Sequence, residues 1–597
     1  MTVTSEGHAH DGHRSSAGQS GGGAPGPLVH VYLDIGFVRI QRYLARTAKL
    51  RGRRVASDRL ARATDSAAVA AALPRELAGL AEANPEAGQA DGVISLRLSA
   101  HDHGERDRLV QDVTDAVLNG LREQFPGAEL EAVWATGESY LAARVAEMVP
   151  RQARGEVRVD LPAPAEFPLA QPCRLCHTDP AAALRPVPGE GKPQAICPDC
   201  AHRLEHDRQA RAGERRGEQG ASAESRLQAA VGCAEAPATL QDLARCTLRD
   251  DAQAPDDDTP DEELDGPAGR IGGRGGASPD RRGGSAISGG SGATQLATVY
   301  VDGNAVGAFF GALASAASSA AEADGLRHAK ETISVRLAEA TVDALELATL
   351  RVMDDTGGTG PLLVVPHVVG GDDVLVSLPA DRAWAFTLTY LEMFRDLLEE
   401  ACGPVLRLLP EPPAGHQRPM APTASAGIVF AHSTYPMNLV VELAEERLAR
   451  AKRATGGAAC SIDFVDVTAD GPQGTDDPAL ALANQDASHP VGDMPMPPAL
   501  DAQTRQALTH LSRAPLSHRG ELADAVRAHG PLIAARTTGT RVGHQLLADA
   551  LRVFVPTQPQ PSVPPARGPV SGAGPGSRPD VISLSHALRI ARWWPTS

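Results

Sequence analysis

Apolar and polar positions along this chain fall into two periodic blocks separated by aperiodic polar stretches. In the first block Val29 to Ile35 is an apolar strand, and from Val38 to Leu44 the apolar residues recur at helical spacing. Gly92 to Leu98 and Glu129 to Thr136 read as strands around an amphipathic helix from about Arg106 to Gln124, with Leu109, Val113, Val117 and Leu121 on one face. This alternation is incomplete but compatible with a ferredoxin-like unit. In the second block the order is strand 296–301, helices over roughly 304–350, strand 361–369, turn 370–373, strand 374–378, helix 380–401, strand 423–430, helix 436–454 and strand 461–467. That is βαββαβ with one further strand. Trp384, Leu388, Leu391 and Leu398 mark the core face of the long helix. Residues 498–556 are helical by pattern, and a final helix from Val581 to Trp593 ends in the Trp593-Trp594 pair, expected to dock the C-terminus.

The aperiodic stretches read as tails and linkers. Residues 1–28, with His8, His10 and His13, lack apolar periodicity and are expected to be disordered. An acidic run from Asp250 to Asp265, a Gly/Arg/Ser run from Gly266 to Gly292 and the stretch from Gly471 to Pro497 read as flexible linker. With 597 residues the chain exceeds one core, and three or four domains are expected. The net charge of −17 argues against a protein that coats nucleic acid. No apolar run is long enough to span a bilayer, and the polar N-terminus has no apolar signal core, so a cytoplasmic protein with no membrane partner is expected. Between Arg39 and Arg62 nine basic residues stand against one acid, Asp58, a density suited equally to RNA contact and to a solvated helix face.

Two constellations carry chemistry. Cys173, Cys176, Cys197 and Cys200 form two CxxC pairs 20 residues apart, the spacing of a tetrahedral Cys₄ zinc site; four protein ligands make that metal structural. His177 and His202 flank the pairs without being needed. Gly370-Gly371-Asp372-Asp373 places two acids at the tip of a hairpin, where the glycines permit positive φ and close approach of a triphosphate. In a ferredoxin-like sheet the first strand neighbours this hairpin, so Asp302 at its end completes a three-carboxylate set for two Mg²⁺ or Mn²⁺ ions. Lys452 ends the last helix of the unit, where a cation suits the helix dipole and a polyphosphate.

Taken together these motifs resemble the large polymerase-cyclase subunit of type III CRISPR effector complexes, the Cas-ten family. Asp34 to Leu44 with the Arg-rich stretch after it resembles the opening of that family's first palm, and the CxxC pairs resemble its zinc insertion. Asp302-Gly303-Asn304, Gly370 to Asp373, Ala424-Ser425-Ala426-Gly427 and Ala451-Lys452 resemble successive motifs of its catalytic palm. The resemblance implies an α+β multidomain fold: two ferredoxin-like palm domains, a zinc-ribbon insertion and a helical C-terminal domain. Boundaries are expected at 1–28 (tail), 29–150 (first palm), 151–206 (zinc domain), 207–295 (linker), 296–470 (catalytic palm) and 471–597 (linker and helical domain). It implies synthesis of cyclic oligoadenylate from ATP, in a complex with guide RNA, target RNA and other effector subunits. By carry-over Asp302, Asp372 and Asp373 are catalytic metal ligands, and Gly303, Gly370, Gly371, Ser425 and Lys452 bind nucleotide. Two departures stand out: His10-Asp11 lacks the histidine-aspartate nuclease domain many members carry, so no such DNase activity is expected, and Asn304 replaces a frequent second acid. The alternatives are a diguanylate-cyclase-like enzyme, disfavoured by Asp373 and Val374 where Glu and Phe are usual, and a non-catalytic scaffold.

Overall fold

A computed structural model describes residues 30–46, 50–87, 92–99, 103–162, 171–187, 191–214, 223–233, 235–237, 239–246, 294–319, 323–353, 361–409, 419–470, 500–541, 545–555 and 582–595. The tail, the acidic run, the Gly/Arg/Ser run and the stretch 471–497 lie outside them.

Two five-stranded sheets organise the chain. The first contains β1 (His30–Val38), β2 (Ala81–Ala83), β3 (Val93–Leu98), β4 (Glu129–Gly137) and β5 (Arg158–Asp160), in the order β2-β3-β1-β4-β5. The short β2 supplies the strand missing from the sequence pattern: at three residues it has no readable alternation, but it pairs with β3 and completes βαββαβ. The first strand runs to Val38, further than its expected end at Ile35. Arg39, in the left-handed region with φ 54, then breaks it before the helix Ile40–Ala45.

A two-stranded hairpin, β6 (Ala183–Arg185) and β7 (Gln194–Ile196), lies between the cysteine pairs. The second large sheet contains β8 (Gln295–Asn304), β9 (Val365–Gly370), β10 (Asp373–Pro379), β11 (Thr423–His432) and β12 (Ile462–Asp466), in the order β12-β11-β8-β10-β9. β11-β8-β10-β9 is the ferredoxin-like arrangement, with all its neighbouring pairs antiparallel, and β12 adds in parallel to β11. Both sheets thus carry the same order with a fifth strand outside the fourth. The crossover to β12 is the helix Met437–Thr455, and it packs on β11 at Gly427, where a Cβ would meet the Ala444 carbonyl at 2.3 Å. No side chain fits there.

The helices Ala323–Met353 and Ala383–Leu408 bury one face of the second sheet together with the C-terminal helices. Trp384 sits in this core against Phe464 and Trp594, while Trp593 stacks on Phe430 and donates its indole N–H to Asp466 at 2.7 Å. The closing tryptophan pair therefore anchors the helical segment to the edge of the sheet. Part of the stretch expected as linker is folded: the helices Ala223–Ala230 and Leu240–Ala244 put Leu227 and Leu243 into the apolar packing of the second sheet. Their polar surroundings hid them from periodicity.

The opposite face of the second sheet meets the first palm. Tyr300, Leu375, Val429 and Val440 share one apolar cluster with Tyr43, Leu44 and the core of the first sheet.

Candidate active site

The hairpin between β9 and β10 is two residues long, Gly371 and Asp372, since Gly370 pairs directly with Asp373. Gly371 takes φ +60 with open space around it, the left-handed conformation such a tight turn requires. Gly370 is an ordinary strand residue at the end of β9, so of the two glycines Gly371 alone has positive φ. Thr341, on the long helix Ala323–Met353, donates to the Gly371 carbonyl at 2.6 Å and braces the turn from outside.

β8 runs alongside β10, with Val301 opposite Val374, so Asp302 emerges beside the hairpin. It lies inside the strand, which extends to Asn304 rather than stopping at 301. Gly303 presses against Asp372: a Cβ there would fall 2.4 Å from Oδ2. Lys452, near the C-terminal end of Met437–Thr455, forms an ion pair with Asp302 and donates to the Gly303 carbonyl at 2.7 Å. The structure thus brings Asp302, Gly303, Asp372, Asp373 and Lys452 into one half-buried cluster.

Electrostatics mark this cluster. Burial pushes Asp373 up to about 9, with Asp302 and Asp372 adding repulsion that Lys452 only partly offsets. Asp372 is raised for the same reasons, burial first and Asp302 second. Three neighbouring carboxylates are the hard oxygen donors that a divalent Mg²⁺ or Mn²⁺ takes, so the donor set fits such ions. Burial and then the charges of Asp373 and Asp302 also raise Tyr300, two residues before Asp302 on the same face of β8.

Ser425 stands opposite Asp302 in β11 but is fully buried. It accepts from the Asn304 amide at 2.9 Å and lies 3.1 Å from Ser461. Asn304 also donates towards Thr423 and the Ala459 carbonyl, both at 3.1 Å. Its amide is therefore committed to the β11 side of the site, away from the acids.

In the first palm Asp34 is buried and saturated. It accepts from Ser95 at 2.6 Å, Tyr140 at 2.7 Å and Arg144 at 2.8 Å. Part of the basic segment is engaged inside the molecule, while Arg39, Arg42 and Arg62 stay exposed. Arg46 donates to Gly127 and Asp179, Arg59 to the Gln124 carbonyl while lying over the Phe125 ring, and Arg42 pairs with Glu445 of the second palm. Neither a solvated face nor an open nucleic-acid surface describes the Arg46 and Arg59 side chains.

Cys173, Cys176, Cys197 and Cys200 are buried, with ligand atoms all within 4.8 Å of one another; they are the group of this kind among the described residues. Backbone amides of Leu175 and Cys200 point at Cys173 and Cys197, each at 3.4 Å, as in a metal knuckle. Hydrogen bonding among the thiols pulls Cys173 far below the usual thiol range and pushes Cys200 far above it. Four sulfur atoms at this separation are a donor set that could hold a metal ion. His177 and His202 are exposed and stand outside the group. The second knuckle is locked to the first palm, because Asp199 accepts from Tyr43 at 2.6 Å and from Arg203 at 2.9 Å, all three buried.

Sequence reasoning did not single out Tyr300, Gln41 or Thr341 at this site. Tyr300 was visible in principle, because the strand period puts it on the face of Asp302. The other two reach the site from distant elements and leave no local signal.

No curated protein matches the chain. Among solved structures, one described as a Csm1-Csm4 cassette in complex with cA4 is 10% identical with a TM-score of 0.37, covering 72% of this chain and 54% of that one. A Type III-B Cmr-beta in its apo state is 9% identical with a TM-score of 0.39, covering 88% and 77%. A Cmr-beta bound to cognate target RNA is 10% identical with a TM-score of 0.38, covering 71% and 68%. The chain thus spans about half the length of the cassette chain. Among the described residues no helix is long and apolar enough to cross a membrane. Residues 295–459 match the family model for Cas10/Cmr2, second palm domain.

Proposed function

We propose that this chain is a nucleotidyltransferase that makes cyclic oligoadenylate from ATP as the large subunit of an RNA-guided type III CRISPR complex in the cytoplasm. The observation that carries the reading is the convergence of Asp302, Asp372, Asp373 and Lys452 within the segment matching the second palm. In this reading Asp302, Asp372 and Asp373 hold two Mg²⁺ or Mn²⁺ ions. When bound, these ions neutralise the triphosphate and favour ionisation of the attacking hydroxyl. Gly303 and Gly371 keep Cβ atoms out of the path of the acids and of the turn. Lys452 keeps a cation beside Asp302 and is placed to meet a phosphate. A 3′ oxygen of one nucleotide bonds to the α-phosphorus of the next, its proton leaves to base, and pyrophosphate departs with the electrons of the broken P–O bond. Ser425, being buried, acts through the Asn304 amide that shapes the wall of the site. Cys173, Cys176, Cys197 and Cys200 hold a structural Zn²⁺ that supports the first palm. Guide RNA, target RNA and other effector subunits are the partners.

The test is incubation of the purified chain, alone and in its RNA-guided complex, with ATP and Mn²⁺ or Mg²⁺, followed by product analysis. The reading expects 3′–5′ linked cyclic oligoadenylate that disappears in Asp372→Ala/Asp373→Ala. Its absence from both preparations, with zinc bound and the fold intact, overturns the assignment; cyclic diguanylate from GTP would favour the cyclase alternative.

A further inference from the structure

The helix Ile40–Ala45 of the first palm reaches two sites at once. Gln41 Nε2 donates to the Tyr300 hydroxyl at 2.8 Å and lies 3.5 Å from Asp373 Oδ2. Two residues on, Tyr43 donates to Asp199 in the second cysteine knuckle, and Arg203 returns a bond to the Tyr43 carbonyl at 3.0 Å while lying 4.5 Å over its ring. Arg46, which ends the same helix, donates to Asp179 just beyond the first knuckle. The helix is therefore clamped on the cysteine side by buried bonds, and Gln41 is presented to the second palm from a rigid base.

We propose that Gln41 is a positioning residue for the acid pair, holding the Tyr300 hydroxyl and the Asp373 carboxylate in place from across the interface between the palms. The proposal rests on the reading of Asp302, Asp372 and Asp373 as metal ligands. An amide carries two N–H donors on one nitrogen, enough to serve a hydroxyl and a carboxylate together. Tyr300 precedes Asp302 by two residues on β8, so an anchored Tyr300 also fixes the strand end from which Asp302 projects. Catalytic constellations lose rate steeply when a ligand drifts by about 1 Å, even if the cause is remote. Since Gln41 belongs to one palm and its two partners to the other, the acids take their working orientation only when the first palm is docked, and that docking leans on the cysteine module.

The experiment compares wild type, Gln41→Met and Arg42→Gln in the full chain. Methionine keeps the length of the side chain and removes both donors. Arg42→Gln breaks a different contact of the same interface, the 3.5 Å pair with Glu445. Mn²⁺ affinity is read by electron paramagnetic resonance, kcat and KM for ATP by product formation, and the fold by thermal unfolding. The proposal expects Gln41→Met to weaken Mn²⁺ binding at least fivefold and lower kcat about tenfold, with KM within twofold and an unchanged melting temperature. Arg42→Gln should change Mn²⁺ affinity less than twofold. Wild-type Mn²⁺ affinity in Gln41→Met overturns the proposal, and so does an equal loss in Arg42→Gln, which would reduce Gln41 to general docking. If wild type binds Mn²⁺ but forms no cyclic product, the assigned activity fails while the Mn²⁺ comparison still decides the role of Gln41. If wild type binds no Mn²⁺, the metal reading and this proposal fall together.

Discussion

Gly303 and Asp372 occupy almost the same space: a Cβ on Gly303 would lie 2.4 Å from Oδ2 and 2.8 Å from Cβ of Asp372, and 2.6 Å from Val306 Cγ2. Real Cβ contacts do not approach so closely, so any side chain at 303 displaces the acid. Gly303→Ala should lower nucleotidyl transfer about a hundredfold, the usual cost of misplacing a catalytic group by an ångström. Gly371→Ala meets nothing within 4 Å and strains only φ. Its cost should be about 1–2 kcal/mol of stability with a smaller loss of rate. Parallel kinetics and thermal unfolding of the two variants check the contrast.

Burial, and then the charges of Asp302 and Asp372, push Asp373 up to about 9. The ionised carboxylate is repelled by its neighbours, so in EDTA Asp373→Asn should gain stability over wild type as pH rises from 7 through 9, by an amount on the order of 1 kcal/mol, while losing Mn²⁺-dependent stabilisation and activity. Calorimetry with and without Mn²⁺ measures both effects. A variant that melts lower in EDTA would show that the carboxylate serves the fold instead.

Loss of one thiol should empty the cysteine site. Cys200→Ser is expected to reduce bound zinc from one per chain to none by elemental analysis. Because Asp199 and Arg203 tie this knuckle to Tyr43, the same variant should increase proteolysis near residues 40–46. Full zinc occupancy with Cys200 replaced would contradict the four-ligand assignment.

Burial lowers His586 to about 4, with Arg450 adding repulsion, where the C-terminal helix packs against Phe464. A histidine whose folded value is depressed contributes stability in full above its unfolded value near 6.5, and that stability is lost as pH falls towards 4. The contribution amounts to about 3 kcal/mol. Denaturation between pH 7 and 4 should therefore show a steeper loss for wild type than for His586→Gln. Parallel curves would remove His586 as the cause.

Much of the fold was legible because it is written in local periodicity. The second sheet followed from alternating apolar residues and turn chemistry, and the Cys₄ set from spacing alone. Ala81–Ala83 was not legible, since three residues make no pattern, yet pairing with β3 suffices to order them. The helices at 223–230 and 240–244 were hidden in polar sequence, and a few apolar contacts with the second sheet fold them. Nine basic residues between 39 and 62 looked like a surface, whereas Arg46 and Arg59 turn inward to the carbonyls of Gly127 and Gln124.

By itself the sequence determined the order of strands and helices in the second sheet, the acid hairpin and the spacing of the cysteine pairs, because backbone propensity and turn geometry act over a few residues. The tertiary structure decided which distant groups meet. It laid Lys452 on Asp302, turned the Asn304 amide towards Ser425, and brought Gln41 across from the other palm to Tyr300 and Asp373. Such contacts join residues 121 to 332 positions apart, and those of Gln41 exist only once both sheets have buried their apolar faces against each other.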